Sequence, residues 1–473
     1  MTAGHVGFAV DVHGKARAEG EREVKNKNVG RAWLAVFAAA ALSAASVAAQ
    51  DSPGRAQSIL IKNVSIFNGT AETLITGKDV VLVGNKIDKI IPAGSGGSGY
   101  TQVIDGKGGY LTPGLIDVHW HMNMGVEERD YFGDQNFVAL FSAMEAEQQL
   151  MRGVTTVRDT AGNVFGLKKA IDSGVTPGPR LFPSGALISQ YSGHGDMRSS
   201  IPTVLPKEWG GPTGLGVSDG NMILATGYDQ VLAATRQQLF LGATQIKIAV
   251  TGGVSSFTDP LYVMEFTEEE IQAAVKAASD YGTYVMAHGH DSAGVIRALE
   301  NGVTSIEHGS VLNEKAVKLM AEKGAVFVES FEVLAQLKPL YTDPVRKGKL
   351  DEAMKGSANV AKWAKKYGVL MGYGTDLLFS AKGRMDELKD LGLRKEFFSS
   401  PEIMIQATGN GGKIVGMSGK RNPYGKLGVI EEDAMADVLI YSKNPLEDVA
   451  IVEDYDNNLK LIVKDGKVYK NEL

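Results

Sequence analysis

The sequence predicts an α/β protein with a (β/α)8 TIM-like barrel and a small β-sandwich domain built from both chain ends. Eight apolar, strand-like runs alternate with helical stretches through the middle of the 473-residue chain. On either side, in 59–110 and after 423, short alternating runs are separated by Gly and Asn, which is typical of antiparallel strands. An open doubly wound sheet is the alternative, but no Gly-x-Gly-x-x-Gly motif follows an early strand.

The eight runs predicted as barrel strands are short and mostly apolar, as buried parallel strands are. They are 115–122, 155–160, 180–188, 245–250, 284–288, 304–307, 325–331 and 369–374. Helical patterns fill most of the gaps, and one of them opens with a capping box formed by Thr267 and Glu270. The Gly- and Pro-rich segment 189–228 follows the third strand, so we expect a long loop over the barrel mouth.

The predicted domain organisation has four segments. They are an export signal region at 1–50, the first part of the β-sandwich at 51–110, the barrel at 111–415 and the second part of the β-sandwich at 416–473. The Ala-rich apolar stretch 32–49 ends in small residues, which favours a cleaved signal peptide over an anchor helix. Its long leader suggests that translation begins near Val24 or Val29 and that residues 1–23 are an artefact. We expect a periplasmic or secreted protein with no stable membrane span after signal removal.

Composition limits the chemistry. The net charge is −6 and no stretch is strongly basic, which argues against nucleic acid as a partner. The chain has no cysteine, so it has no disulfide, thiolate nucleophile or Cys-ligated metal. Any metal ion must be held by nitrogen and oxygen donors.

The histidines predict a metal site. His119 and His121 end the first barrel strand and point to the same face, so they can ligate one ion, although a pair of core histidines is the alternative. Three further histidines follow the fifth and sixth strands: His288, His290 and His308. The carboxyl ends of barrel strands meet at one rim, where active sites form.

Two other residues fit this site. Asp376 ends the eighth strand, where a carboxylate beside imidazoles suits a divalent ion such as zinc, or where it caps the next helix. Lys247 lies within an apolar strand. Burial would lower its pKa and leave an amine that can add carbon dioxide to form a carbamate, which could be shared by two metals. The alternative is a lysine whose ammonium group reaches solvent.

Together these residues resemble the amidohydrolase superfamily, which carries His-x-His on strand one, Lys on strand four, His on strands five and six, and Asp on strand eight. The local sequences TPGLIDVH at 112–119, SGHGD at 192–196 and SIEHG at 305–309 are similar to one branch of it. That branch includes imidazolonepropionase-like proteins, Xaa-Pro dipeptidase-type carboxypeptidases and ochratoxin-hydrolysing amidases, of which the last two are the more similar.

The resemblance implies a barrel with a flanking β domain and a centre of two divalent ions, most simply zinc. The implied ligands are His119, His121 and Asp376 for the first ion, His288 and His308 for the second, and carboxylated Lys247 between them. A hydroxide between the ions would attack the amide carbonyl. Asp376 would pass its proton to the leaving amine, and His290 would help to polarise the carbonyl or would support a ligand instead.

The implied reaction is hydrolysis of the amide bond to a C-terminal, apolar L-amino acid, with dipeptides, N-acyl amino acids and ochratoxin A-like amides as small-molecule substrates. The candidate binders of the substrate carboxylate are Tyr191, His194, Arg158 and Tyr228. Arg158 could instead pair with an acid such as Asp159. An apolar pocket could be lined by Phe257, Leu261, Tyr262, Phe331 and residues 377–379, all of which could instead belong to the core.

Two other functions remain open at this point. One is a cyclic-amide hydrolase of the imidazolonepropionase type, and the other is a non-catalytic barrel that binds a ligand. The presence of all six predicted metal ligands argues against the second. The resemblance also implies a homo-oligomer, with an octamer as one form.

Overall fold

The computed structural model describes residues 57–197 and 220–473. The predicted export signal region lies outside the described residues, as does the larger part of the irregular segment 189–228. Within the described ranges, no helix combines the length and the apolar character that a membrane crossing requires.

Strands and helices alternate through the middle of the described chain. The strands are β1 (Ser58–Ile66), β2 (Ile75–Val83), β3 (Lys86–Pro92), β4 (Gln102–Pro113), β5 (Leu115–Trp120), β6 (Val154–Asp159), β7 (Arg180–Pro183), β8 (Leu187–Ser189), β9 (Met222–Leu224), β10 (Ile246–Ala249), β11 (Val285–Gly289), β12 (Ser305–His308), β13 (Val326–Val328), β14 (Val438–Tyr441), β15 (Leu459–Lys464) and β16 (Lys467–Asn471). The α-helices are α1 (Glu128–Tyr131), α2 (Gln135–Met151), α3 (Phe165–Asp172), α4 (Tyr228–Leu241), α5 (Glu268–Asp280), α6 (Ser292–Glu300), α7 (Glu314–Lys323), α8 (Glu332–Leu337), α9 (Pro344–Tyr367), α10 (Lys389–Leu393), α11 (Ser400–Ile405), α12 (Gly411–Gly416) and α13 (Tyr455–Asn458).

Both ends of the described chain contribute to one seven-stranded sheet, with the order β16-β15-β14-β4-β1-β2-β3. Strands β1 and β4 are parallel, and β14 is antiparallel to β4. Apolar side chains from both halves, such as Ile61 and Ile440, are buried in one cluster. The strands pair as one sheet rather than as two facing sheets, because β4 has β1 on one edge and β14 on the other.

The strands predicted for the barrel form two parallel sheets, β5-β6-β7 and β13-β12-β11-β10-β8-β9. The third predicted strand, 180–188, is divided into β7, which pairs with β6, and β8, which pairs with β10. Pro183 lacks an N–H for the ladder and Gly185 has a φ of 71°, so the strand is interrupted between them. Strand β9 was not expected within the irregular segment.

The eighth predicted strand, 369–374, lies between the two sheets. Phe327 of β13 donates its N–H to the Leu370 carbonyl (2.9 Å), and Val118 of β5 donates to the Tyr373 carbonyl (2.9 Å). The segment therefore adjoins an edge strand of each sheet. Since the strand pairing itself yields two sheets, complete closure of the barrel stays a prediction.

The helices predicted from periodicity are present, and α5 begins with the expected capping box. The Thr267 side chain accepts a hydrogen bond from the Glu270 N–H, and the Glu270 carboxylate accepts one from the Thr267 N–H. The helix buries its alanines, including Ala274 and Ala278. Helices of this kind cover the outer face of the parallel strands. The polar side chains of the site therefore lie at the carboxyl ends of β5, β10, β11 and β12.

Candidate metal centre

One cavity collects the side chains that the sequence singled out. The space within it, including the part open to solvent, is about 840 Å³. The polar residues that line it include His119, His121, His194, Lys247, His288, His290, His308 and Asp376. The structure thus brings together all six predicted metal ligands and both of the other candidate histidines.

Glu307 sets the orientation of His119. Its Oε2 lies 2.7 Å from His119 Nδ1, and both side chains are fully buried. Burial alone would raise the pKa of Glu307, but the Arg158 charge and the hydrogen bond from His119 lower it to about 2. An ionised carboxylate can only accept, so Nδ1 donates and Nε2 is left for a ligand. Metal-binding histidines in proteins are commonly held in this way.

Asp376 lies beside two imidazoles at the carboxyl end of β5. Its Oδ1 lies 3.0 Å from His121 Nε2 and 3.3 Å from His119 Nε2. The other nitrogen of His121 faces the Ala161 carbonyl at 3.3 Å. Burial opposes ionisation, yet the interaction with His119 and then that with His121 keep the pKa of Asp376 below its usual value. Asp376 is therefore a carboxylate.

The backbone at two of these residues is strained. His308 has a φ of 73° and Asp376 a φ of 55°. Few non-glycine residues adopt this left-handed region, and such outliers concentrate at functional sites. The Asp376 N–H donates to the His119 carbonyl (2.8 Å), which holds this conformation next to β5.

Two groups of donor atoms are spaced closely enough to hold a metal ion. They are His288, His290 and His308, and His119, His308 and Asp376, with atoms in each group within 4.8 Å of one another. This grouping differs from the predicted division, because His308 belongs to both groups and His290 is near enough to be a ligand.

The imidazoles of this cluster suit metal binding. Three buried nitrogens make no hydrogen bond within the described residues: His119 Nε2, His288 Nε2 and His290 Nδ1. Burial, and then the neighbouring histidines, hold the pKa of His288 well below its usual value, and burial lowers the pKa of His290 to about 3. Neutral imidazoles with unused nitrogens are the form that binds divalent ions.

Lys247 is buried in β10, with a relative exposure of 3%. The alternative in which its ammonium group reaches solvent is therefore wrong. Burial lowers its pKa to about 8, while Glu307 and Asp376 act in the opposite direction. Near neutral pH a larger fraction is thus a free amine than for an ordinary lysine, and the free amine is the form that can add carbon dioxide.

Arg158 is not placed to bind a substrate, in contrast to the prediction. It is 0% exposed on β6, and its guanidinium donates to both Glu307 oxygens at 2.8 Å and to the Val118 carbonyl. Its acidic partner is thus Glu307 rather than Asp159. Arg158 supports the metal centre indirectly, because it holds the carboxylate that orients His119.

The two candidate tyrosines lie outside the cavity wall. Tyr228 begins α4, is 41% exposed and borders a separate surface groove with Gln272 and Asn301. Tyr191 is half-buried just after β8 and is not among the described residues that line the cavity. Of the four candidates for the substrate carboxylate, His194 alone lines it within the described chain.

His194 packs against the metal cluster. Its ring stacks on His288, with centroids 4.0 Å apart and an interplanar angle of 11°. Its backbone N–H donates to Glu265 Oε1 (2.6 Å), and burial raises the pKa of Glu265 to about 8. The sequence analysis missed the roles of Glu265 and Glu307. A charged residue within an apolar stretch is the signal that identified Lys247, and the same signal could have identified these two acids.

The rest of the cavity wall is mainly apolar. It includes Met124, Leu187, Met222, Val254, Leu334, Leu337, Leu378 and Phe379. Only the last two were among the predicted pocket residues. Phe257 and Tyr262 are exposed at the surface, whereas Leu261 and Leu377 are buried in the core. Most of the apolar wall comes from the helix α8 and from loops, whose position a strand pattern does not reveal.

Known proteins are similar to this chain in sequence and in fold. The amidohydrolase family matches residues 110–469. Ochratoxinase of Aspergillus niger is 30% identical over 383 residues, which are 76% of this chain and 75% of ochratoxinase. A solved amidohydrolase superposes with a TM-score of 0.80 at 34% identity, covering 88% of this chain and 100% of its own. A prolidase complexed with N-methylphosphonate-L-proline gives a TM-score of 0.79 at 30% identity over the same shares.

These similarities span both the barrel strands and the β domain, and they confirm the predicted superfamily. Amidohydrolases are metal-dependent hydrolases with a TIM-barrel-like fold and an additional β domain, which agrees with the sheets and the donor groups described above. This chain therefore belongs to the amidohydrolase family, in its ochratoxinase and Xaa-Pro dipeptidase branch.

Proposed function

We propose that this chain is a binuclear metallohydrolase that cleaves the amide bond to a C-terminal, apolar L-amino acid. Its substrates would be dipeptides, N-acyl amino acids and ochratoxin A-like amides. The observation that carries this proposal is the pair of donor groups beside buried Lys247 in a cavity with an apolar wall. The similar ochratoxinase, and the prolidase with its proline-like phosphonate, support the substrate class.

The residues present fit two divalent ions. Ligands would be His119, His121, Lys247 as its carbamate, His288, His308 and Asp376. All are nitrogen or oxygen donors, which suits zinc, and the buried imidazole nitrogens without hydrogen bonds are otherwise unexplained. When bound, the ions would acidify water and polarise the scissile carbonyl.

The chain's own groups would then divide the proton transfers. The Asp376 carboxylate accepts the proton of the attacking water and delivers it to the leaving nitrogen. His290 lies within the donor cluster and lines the cavity, from where it stabilises the carbonyl oxygen. Glu307 keeps the His119 ring turned towards Asp376.

The cavity wall would select the substrate. Leu334, Leu337, Leu378 and Phe379 present an apolar surface that suits the side chain of Phe, Leu or Pro. His194 is the group in the described wall that we assign to the substrate carboxylate, and Tyr191 stays a candidate for the same role. An acidic C-terminal residue would lose its hydration in this wall without gaining a partner.

The activity can be tested with a panel of dipeptides, N-acyl amino acids and ochratoxin A. Chelator-treated protein should be inactive, and zinc should restore hydrolysis of the substrates with apolar C-terminal residues. A cyclic amide of the imidazolonepropionase type belongs in the panel as the rival substrate. The proposal is overturned if no metal-loaded sample releases an amino acid from any member.

A further inference from the structure

The loop after β10, residues 251–263, forms part of the cavity wall and is tied to helix α9 by a buried lysine. Val254 and Ser255 of the loop line the cavity. Lys349 of α9 is 8% exposed and donates from Nζ to the Ser256 carbonyl (2.6 Å) and the Asp259 carbonyl (3.2 Å). A buried ammonium is costly unless it is well paired, so these contacts hold the loop firmly.

The same loop holds the ring of His194. Asp259 Oδ2 accepts the Gly253 N–H (2.7 Å) and lies 3.2 Å from His194 Nδ1. Ser256 Oγ lies 3.1 Å from Nδ1 and donates to the Gly253 carbonyl. Because the Asp259 carboxylate can only accept, Nδ1 carries a hydrogen that it donates to Oδ2. Nε2 is then the ring nitrogen without a contact to the loop, and it can pair with a carboxylate only as an N–H donor.

Gly253 makes this arrangement sensitive to the loop's position. A Cβ atom there would lie 2.2 Å from His194 Cε1 and 2.7 Å from His288 Nε2. The loop backbone thus approaches both stacked rings as closely as a glycine permits. A small displacement of the loop would shift His194 relative to the metal cluster.

We propose that Lys349 is a positioning residue for substrate binding. It fixes the 251–263 loop, and through Ser256 and Asp259 it keeps His194 oriented so that, with a hydrogen on each ring nitrogen, Nδ1–H donates to Asp259 and Nε2–H donates to the carboxylate of the substrate's C-terminal amino acid. This inference rests on the proposed function, because it assumes an amino acid carboxylate as the ligand. A second cation of α9 adds to the hold on the loop, since the Arg346 guanidinium lies over the Phe257 ring at 4.2 Å.

The test compares Lys349→Met with Lys347→Met in the metal-loaded protein. Lys347 lies on the same helix, has a side chain 59% exposed and pairs with Asp351 one turn away, so its replacement is a matched control. Lys349→Met should raise KM for an N-acyl amino acid about tenfold with kcat changed less than about twofold. Lys347→Met should change neither.

A double variant asks whether the effect passes through His194. In a His194→Gln background, Lys349→Met should cause no further rise in KM, because the ring that it positions is gone. Fully multiplicative effects would overturn the inference. If Lys349→Met does not fold, Asp259→Asn replaces it, and the same KM rise and the same lack of additivity are expected.

A binding measurement and an exchange measurement separate this inference from the proposed function. Inhibition by free L-phenylalanine should weaken in Lys349→Met about as much as KM rises, whereas inhibition by L-phenylalaninamide should not. Hydrogen exchange of the backbone amides in 251–263 should be faster in Lys349→Met than in Lys347→Met. This measurement does not depend on catalytic activity. Faster exchange with unchanged KM would make Lys349 purely structural and overturn the inference, while the hydrolytic function would stand. Wild-type protein that hydrolyses nothing in the panel would overturn both.

Discussion

At the scale of single residues, the centre depends on side chains that touch no substrate. Glu307 links the Arg158 guanidinium to the His119 ring inside the fold. Its loss would both free the ring and leave a buried cation without its partner. The consequences should therefore appear in metal affinity and in stability together.

We predict that Glu307→Gln weakens metal binding 10- to 100-fold and destabilises the fold by about 3 kcal/mol. The checks are elemental analysis after dialysis against graded chelator and a thermal unfolding curve. Glu300→Gln, on the exposed face of α6, is the control and should change neither. Full metal occupancy in Glu307→Gln would contradict the role given to this carboxylate.

Lys247 offers a second prediction at this scale. Lys247→Ala should lower kcat at least about 10³-fold, because the proposed carbamate between the two ions could not form. Acetate or propionate should restore part of the activity by placing a carboxylate at the position of the proposed carbamate. Methylamine serves as the control. Rescue by methylamine but not by acetate would mean that the lysine acts as an uncarboxylated amine.

At the scale of elements, each site residue owes its place to the end of a strand or to a loop that is itself tied down. Strand β13 illustrates how such ends carry buried acids. It is followed directly by Glu329, which is 0% exposed. Burial raises the pKa of Glu329 to about 8, although the neighbouring Ser357 side chain opposes this.

This shift predicts a pH-dependent stability. The folded protein keeps a proton on Glu329 that the unfolded chain releases near its ordinary pKa of 4.5. The contribution of Glu329 to stability is thus fully present below about pH 4.5 and is lost as the pH rises towards 8.

Glu329→Gln should therefore be more stable than the wild type by about 4 kcal/mol at pH 8 and about equally stable at pH 4.5. Thermal unfolding at the two pH values is the measurement, with exposed Glu322→Gln on α7 as the control. An equal difference at both pH values would show that Glu329 does not titrate in this range.

At the scale of the whole molecule, one buried ion pair joins the barrel strands to the β domain. Arg180 of β7 donates to both oxygens of Asp437 (3.0 and 3.1 Å) and to Asp465 Oδ1 (2.7 Å). Asp437 directly precedes β14, and Asp465 lies in the turn between β15 and β16 of the seven-stranded sheet. None of the three residues lines the cavity of the candidate metal centre, so we expect them to contribute to stability rather than to chemistry.

Asp437→Asn should lower the free energy of unfolding by about 3 kcal/mol, and with it the unfolding temperature, because it leaves the buried Arg180 partly unpaired. Metal content and kcat of the folded fraction should not change. Exposed Glu432→Gln is the control. Lost metal in folded Asp437→Asn would mean that the β domain shapes the centre directly.

The homo-oligomer stays a prediction. Light scattering of the metal-loaded protein is the measurement that checks it.

Much of the candidate site could be foreseen because its ligands follow local rules. Residues such as His119, Lys247 and Asp376 interrupt or end apolar strands, and the ends of parallel strands converge. Arg158 and Tyr228 show the limit of this reasoning. Both are polar residues near a strand end or a helix start. Arg158, however, is paired with Glu307, and Tyr228 is exposed to solvent.

The sequence by itself determined most of the alternation of strands and helices and the set of candidate ligands, since these depend on periodicity and on residue type at each strand end, and its motifs carried the resemblance to the family. Only the tertiary structure decided that Glu307 holds His119, that His290 and His308 share a donor group, and that α9 holds the loop beside His194. These contacts join residues far apart in the chain. Side-chain distances of that kind are set by packing in three dimensions, and local sequence patterns do not contain that information.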